Sequence, residues 1–341
     1  MEKVIKYLKQ FPSPITKDIT VYGWEFNYEY HLISSVIPYL FCELPIIENF
    51  APLTNKNRDG RKKEKKYIVI HDTGDTASYK NALFWSTVVQ TENNEGSMYQ
   101  ASFQYVVGND GIYHNIPDDE IAYHAGDSTQ FDYTLYDTGV YGTKKDVKIT
   151  IENGFYKIDD KITSVHAPIS KKQEVTSKDF NSEGILCKLI QGKYYIGETY
   201  FNETYQKIAN RGGNNNGIGM EICINEGDDI YYNFHLAAKL TAYLMDLYHI
   251  DIASVKPHHY FSGKDCPMTL RKNDLWAHFI EIVQVEKQML EFKKEGYTFA
   301  LIPISKNILC NGRVSSLDMP LEYKIEITYQ GKHEIIDFLD R

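Results

Sequence analysis

The chain has no paired Cys-x-x-Cys, and its five cysteines (Cys42, Cys187, Cys223, Cys266 and Cys310) are scattered and odd in number. That excludes zinc-finger spacing and argues against a disulfide framework. There is no surplus of positive charge. The formal net charge is −9, which argues against nucleic acid as a partner held by phosphate attraction. No long apolar run is present either. The stretch from His31 to Ile47 is interrupted by Glu43 and holds Pro38 and Pro45, too short and broken for an integral membrane segment. Met1 to Lys17 starts with lysines but has no apolar core of the kind a secretory signal needs. The expectation is synthesis in the cytoplasm, where the chain stays unless released by another route. What is present is an ordinary globular composition: 341 residues, 43% hydrophobic and 24% charged, enough for one large or two modest domains.

Along the chain, residues 1–65 mix aromatics and prolines without clear period and end in the charge run Arg61 to Lys66. They are set apart as an N-terminal extension. Tyr67-Ile68-Val69-Ile70 then predicts a buried strand, with His71 directly after it. Residues 79–94 predict a helix carrying Phe84, Trp85 and Val88. Phe103 to Val107 and Gly111 to Ile116 predict a hairpin through Asn109-Asp110-Gly111. Residues 146–206 turn β-rich, with strand-like runs at Val147–Ile151, Phe155–Ile158, Ile185–Ile190 and Tyr194–Ile196. Ile218 to Ile224 returns to a core strand. A helix with Leu236, Leu240, Tyr243, Leu244 and Leu247 on one stripe follows. A second helix starts after Asn273, read as its N-cap, with Trp276, Phe279, Ile280 and Val283 facing inward. From Tyr297 the alternation of Tyr323, Ile325, Ile327 and Tyr329 with polar residues predicts a small β-module over 297–341.

The loop His258-His259-Tyr260-Phe261-Ser262-Gly263-Lys264-Asp265-Cys266-Pro267 carries imidazole, ammonium and thiol together. Imidazole and thiolate are favoured zinc ligands, and a site completed from distant segments reads as catalytic rather than structural. Three more segments have the right chemistry. His71 follows a strand, His124 lies in Ala122-Tyr123-His124-Ala125-Gly126-Asp127, and Glu221 sits inside Ile218-Gly219-Met220-Glu221-Ile222. Taken alone, each has a plain reading: a hydrogen-bonded histidine, an inert buried cysteine, a glutamate on an open sheet face, a solvated lysine.

In this combination and order the chain resembles the zinc-dependent N-acetylmuramoyl-L-alanine amidases, the amidase-2 family related to phage T7 lysozyme and the peptidoglycan recognition proteins. The resemblance covers roughly residues 66–128 and 212–285. It implies an α/β fold, a central mixed sheet flanked by helices, as a zinc amidase domain over 66–292 with a β-rich insertion at about 129–212. It implies one zinc ion per chain, held by His71, His258 and Cys266, with a fourth position open. His259 adjoins His258, and the family's spacing to the cysteine favours His258. The resemblance further implies Glu221 as general base, Lys264 as electrostatic holder of the oxyanion, and His124 as a substrate contact in the cleft. Some relatives carry a catalytic tyrosine where this chain has Phe103, which puts the weight on Glu221. The implied reaction is hydrolysis of the muramoyl–L-alanine amide of peptidoglycan by an endolysin or autolysin. The rivals are a peptidoglycan-binding module without catalysis and a zinc peptidase cutting within the stem peptide.

Overall fold

Four of the six strands in the central sheet run parallel, and this brings distant segments to one sheet end. The computed structural model describes residues 1–11, 14, 16–34, 38–58, 60–91, 101–125, 135–144, 147–167, 187–197, 213–262, 264–318 and 320–340. Gly126, Asp127 and Ile185, residues 92–94 of the predicted 79–94 helix and both ends of the insertion lie outside the described residues.

In chain order, helix α1 (Glu2–Leu8) precedes a hairpin of β1 (Thr16–Val21) and β2 (Tyr28–Ile33), then β3 (Ile46–Glu48). Next come β4 (Tyr67–Asp72), α2 (Ala82–Gln90), β5 (Tyr105–Gly108) and β6 (Gly111–His114). The insertion holds β7 (Leu135–Tyr141), β8 (Ile149–Glu152), β9 (Phe155–Ile158), β10 (Lys161–His166), β11 (Cys187–Ile190) and β12 (Lys193–Gly197). The chain returns through α3 (Gly213–Asn216), β13 (Gly217–Ile222), α4 (Ile230–Tyr248), β14 (Val255–Pro257), α5 (His259–Ser262), α6 (Met268–Lys272) and α7 (Trp276–Lys294). It ends in β15 (Thr298–Pro303), β16 (Leu321–Tyr329) and β17 (Lys332–Asp340).

The sheet order is β14-β4-β13-β5-β6-β3. Ile68, Ile70, Ile218, Met220 and Ile222 are buried as the patterning predicts, because helices cover a mostly parallel sheet. β3, from the segment set apart as an extension, joins the sheet edge beside β6. The β1–β2 hairpin buries Ile19, Val21 and Leu32 in the same core as α4 and α7. The predicted Asp-Gly hairpin joins β5 to β6, and the Asp110 carboxylate also accepts from the first amides of α2, Ala82 N at 3.0 Å and Leu83 N at 2.9 Å. The insertion forms two three-stranded antiparallel sheets around a core of its own that includes Ile149, Tyr156, Ile158 and Tyr194. Asn153 and Gly154 both take positive φ, as its tight β8–β9 turn requires. The β15–β17 sheet shares a core with α1 and the end of α7. No helix among the described residues is long and apolar enough to cross a membrane.

Two local expectations are corrected. Asn273 does not cap α7, whose N-cap is Leu275. Its side chain instead pairs with Thr20 of the hairpin, accepting from N at 3.2 Å and donating to O at 2.7 Å. A distant partner has outcompeted the local cap. Tyr243 and Leu247 are 40% and 47% exposed, so the apolar stripe of α4 runs past the edge of the core that buries Leu236, Leu240 and Leu244.

Candidate metal centre

Three adjacent parallel strands deliver the polar row. His71 and Glu221 are register partners on β4 and β13. Pro257 of β14 is paired with Ile70, so His258, one residue on, lies beside His71. The His258 amide donates to the Ile70 carbonyl at 3.1 Å, continuing the ladder into the site. All three stand at the carboxyl ends of their strands, where open α/β sheets place their sites. Cys266 comes from the loop between α5 and α6 and completes the group. The ligand atoms of His71, His258 and Cys266 lie within 4.8 Å of one another, and all three residues are buried.

The donors fit a tetrahedral metal ion. Zinc–sulfur and zinc–nitrogen bonds of about 2.3 Å and about 2.1 Å put two ligand atoms about 3.6 Å apart at the tetrahedral angle. Cys266 Sγ stands 3.7 Å from His71 Nδ1. His258 Nδ1 is buried with no hydrogen-bond partner, an acceptor that otherwise carries a desolvation cost. Burial, then the charges of nearby histidines and Lys264, holds His71 well below the ordinary imidazole range. His258 is held down likewise, by burial and then Lys264. Neutral imidazoles are ready to ligate. Burial, then Asp72, pushes the Cys266 thiol well up. Burial also raises the Glu221 carboxyl to about 8 and that of Asp72 to about 6. A bound dication would oppose these shifts and favour the thiolate and the carboxylates.

Glu221 Oε1 lies 3.6 Å from His71 Nδ1, and the side chain keeps 16% exposure, so it can meet a substrate. His259, the neighbour of His258, turns its Nδ1 to within 3.2 Å of the Lys264 carbonyl oxygen, outside the three-donor group. The positive charge of Lys264 favours the neutral forms of His71 and His258 and the charged forms of Cys266 and Glu221. Its Nζ also lies 5.2 Å from the centre of the Trp24 ring. His124 Nδ1 is 3.1 Å from His71 Nε2, a position behind the ligand. Gly219 makes room for it, since a Cβ there would fall 2.6 Å from the His124 ring. The Asn214 side chain fixes that segment, accepting from His124 N at 2.8 Å and Ala125 N at 2.6 Å. Phe103 is buried short of β5, and Tyr105 points into the core, where its hydroxyl donates to Asp118 at 3.0 Å.

Sequence reasoning missed Asp72. Its carboxylate accepts from Thr269 N at 2.8 Å and so ties the strand of His71 to the helix after Cys266. The only signal was a second polar residue closing an apolar strand. It also missed Trp24, which nothing local to its turn connects to the centre.

These features define an α/β protein in which three buried side chains could hold a metal ion, with the Glu221 carboxylate beside them. The chain belongs to the family described as N-acetylmuramoyl-L-alanine amidase, whose sequence model matches residues 61–269, more than half of the chain. Among curated proteins it is similar to the N-acetylmuramoyl-L-alanine amidases CwlH and XlyA of Bacillus subtilis (strain 168). It is 24% identical to CwlH over 235 residues, 69% of this chain and 59% of that protein. It is 23% identical to XlyA over 234 residues, 69% of this chain and 49% of that protein. The chain therefore spans about half to three-fifths of their length. Among solved structures, the catalytic domain of XlyA aligns over 70% of this chain and 98% of its own, at 22% identity and a TM-score of 0.42. PlyL aligns over 71% and 97%, at 20% identity and a TM-score of 0.40.

Proposed function

We propose that the chain is a peptidoglycan hydrolase that cuts the amide between the lactyl group of N-acetylmuramic acid and L-alanine, using one zinc ion held by His71, His258 and Cys266. The observation that carries this reading is the row of His258, His71 and Glu221 on three adjacent strand ends, with Cys266 Sγ 3.7 Å from His71 Nδ1, inside the family-matched residues. Zinc, when bound, supplies a Lewis acid that polarises the scissile carbonyl and makes water a usable nucleophile near neutral pH. Glu221 takes a proton from the attacking water and passes it to the departing L-alanine amine. Lys264 lends positive charge where the carbonyl oxygen becomes negative. With Nδ1 of His71 turned to Cys266, its Nε2 carries the proton and donates to His124, so His124 is a positioning residue as well as a cleft neighbour. The site of action is the cell wall, reached by release or export.

Mass spectrometry of products from purified sacculi tests this directly. The reading expects intact glycan strands together with peptides bearing free N-terminal L-alanine, and loss of both on chelation. Peptides cut internally would make the protein a stem-peptide peptidase. Wall binding without any cleavage would make it a recognition module.

A further inference from the structure

The tip of the β1–β2 hairpin packs on the loop that follows β4 and on α6, the segments that come directly after His71 and Cys266. Trp24 N donates to the Gly74 carbonyl at 2.8 Å, three residues beyond His71. Thr76 Oγ1 donates to the Phe26 carbonyl at 2.9 Å. Tyr22 N donates to Thr269 Oγ1 at 3.1 Å, and Thr269 N donates to Asp72. The approach is close enough to demand glycine. Gly74 has φ +65, and a Cβ there would meet the Trp24 indole at 2.5 Å. Despite this anchoring Trp24 remains 47% exposed, and its ring is the neighbour of Lys264 on the rim of the centre. An apolar ring of this size, held rigid and left open beside a hydrolytic centre, is unused surface.

We infer that Trp24 forms a glycan subsite of the cleft, stacking its indole on a hexopyranose ring of the substrate next to the scissile amide. The inference rests on the reading of the site as a muramoyl amidase. The chemistry favours sugar over stem peptide. An extended peptide is recognised through open main-chain donors, and those of Tyr22, Gly23 and Trp24 are already engaged. What the tip offers is a flat aromatic face, which suits the C–H face of a pyranose. Trp24 lies outside the residues that the family model matches, so this subsite is a property of the chain's own hairpin.

The test is calorimetric titration of the zinc-loaded full chain with peptide-free N-acetylglucosaminyl-N-acetylmuramic acid. Wild type, Trp24→Ala and Trp24→Phe are compared, with zinc content and muropeptide kinetics measured on each. Trp24→Ala is expected to weaken disaccharide binding about ten-fold and to raise KM by a similar factor. Zinc stays stoichiometric, kcat changes much less than KM, and Trp24→Phe recovers most of the affinity. Equal binding by wild type and Trp24→Ala overturns the subsite, as does a wild type that does not bind the disaccharide. A fall in kcat at unchanged KM also overturns it and makes Trp24 a seat for Lys264. Disaccharide binding that depends on Trp24 in a protein that cuts no muramoyl amide leaves the subsite standing and removes the proposed reaction. Cleavage with indifferent binding does the reverse.

Discussion

In the central sheet, spatial neighbours are distant in sequence: β14, β4 and β13 begin at residues 255, 67 and 217 and lie side by side. In the insertion, β8, β9 and β10 follow one another and pair through short turns. Both regions have a buried apolar core. They differ in what happens to polar side chains. Parallel strands all finish at the same edge, so one polar residue past each apolar run yields a converging row. A meander sends its ends alternately to opposite edges, and nothing among the described residues of the insertion gathers into a group of metal donors. The price of convergence is long-range loop closure. What it secures is a site whose members are held by separate, covered strands.

The sharpest way to break this comparison is to remove a donor. Cys266→Ser is expected to abolish stoichiometric zinc in metal analysis of dialysed protein and, with it, all measurable amidase activity. Tight zinc surviving the substitution would show that the row holds metal without its loop donor. The neighbouring pair sharpens the same point: His258→Ala should lose metal and His259→Ala should keep it, because only His258 continues the ladder from Ile70.

Next in size is Glu221→Ala. It should keep zinc and lose about 10²–10⁴-fold in kcat, the usual contribution of a positioned general base. The two readouts together are diagnostic. Loss of zinc would make Glu221 a ligand through its 3.6 Å approach to His71, and near-normal turnover would remove it from the chemistry.

The residues that the fold gathers here were legible as candidates because each lies in or directly after an apolar run or in a short loop of unusual composition. His71 after Ile68-Val69-Ile70 and Glu221 inside Ile218 to Ile224 are local signals. The β8–β9 hairpin was legible for the same reason, through Asn153-Gly154. What escaped is tertiary. That His71 and Glu221 share a register position depends on strand order, which no window of sequence contains. Asn273 looked like a cap because capping propensity is local, while its real partner is Thr20 in another element. The stripe on α4 was counted past the core because periodicity does not say where the covering layer ends. Trp24 was silent because its meaning lies in Gly74 and Lys264.

A smaller effect is expected at His124→Ala. Its ring supports His71 from behind at 3.1 Å, and removal of such a support ordinarily costs about 10–100-fold in metal affinity. Competition with a chelator of known affinity measures it. An unchanged zinc affinity together with a raised KM would return His124 to the role of a substrate contact.

The smallest effect on chemistry should come from the other side of the comparison. Ile158 is buried in β9 at the centre of the insertion's own core, with Ile149 as its cross-strand partner. Truncating a side chain of this kind costs about 2–5 kcal/mol, because the cavity collapses only in part. Since that core shares no buried residue with the one beneath the row of His258, His71 and Glu221, the loss should fall on the insertion. Ile158→Ala is therefore expected to raise hydrogen exchange across β8–β10 while leaving zinc stoichiometry and the exchange of β4 and β13 unchanged. If β4 and β13 loosen in step, the two regions unfold as one unit, and the independence of the converging sheet from the meander is lost.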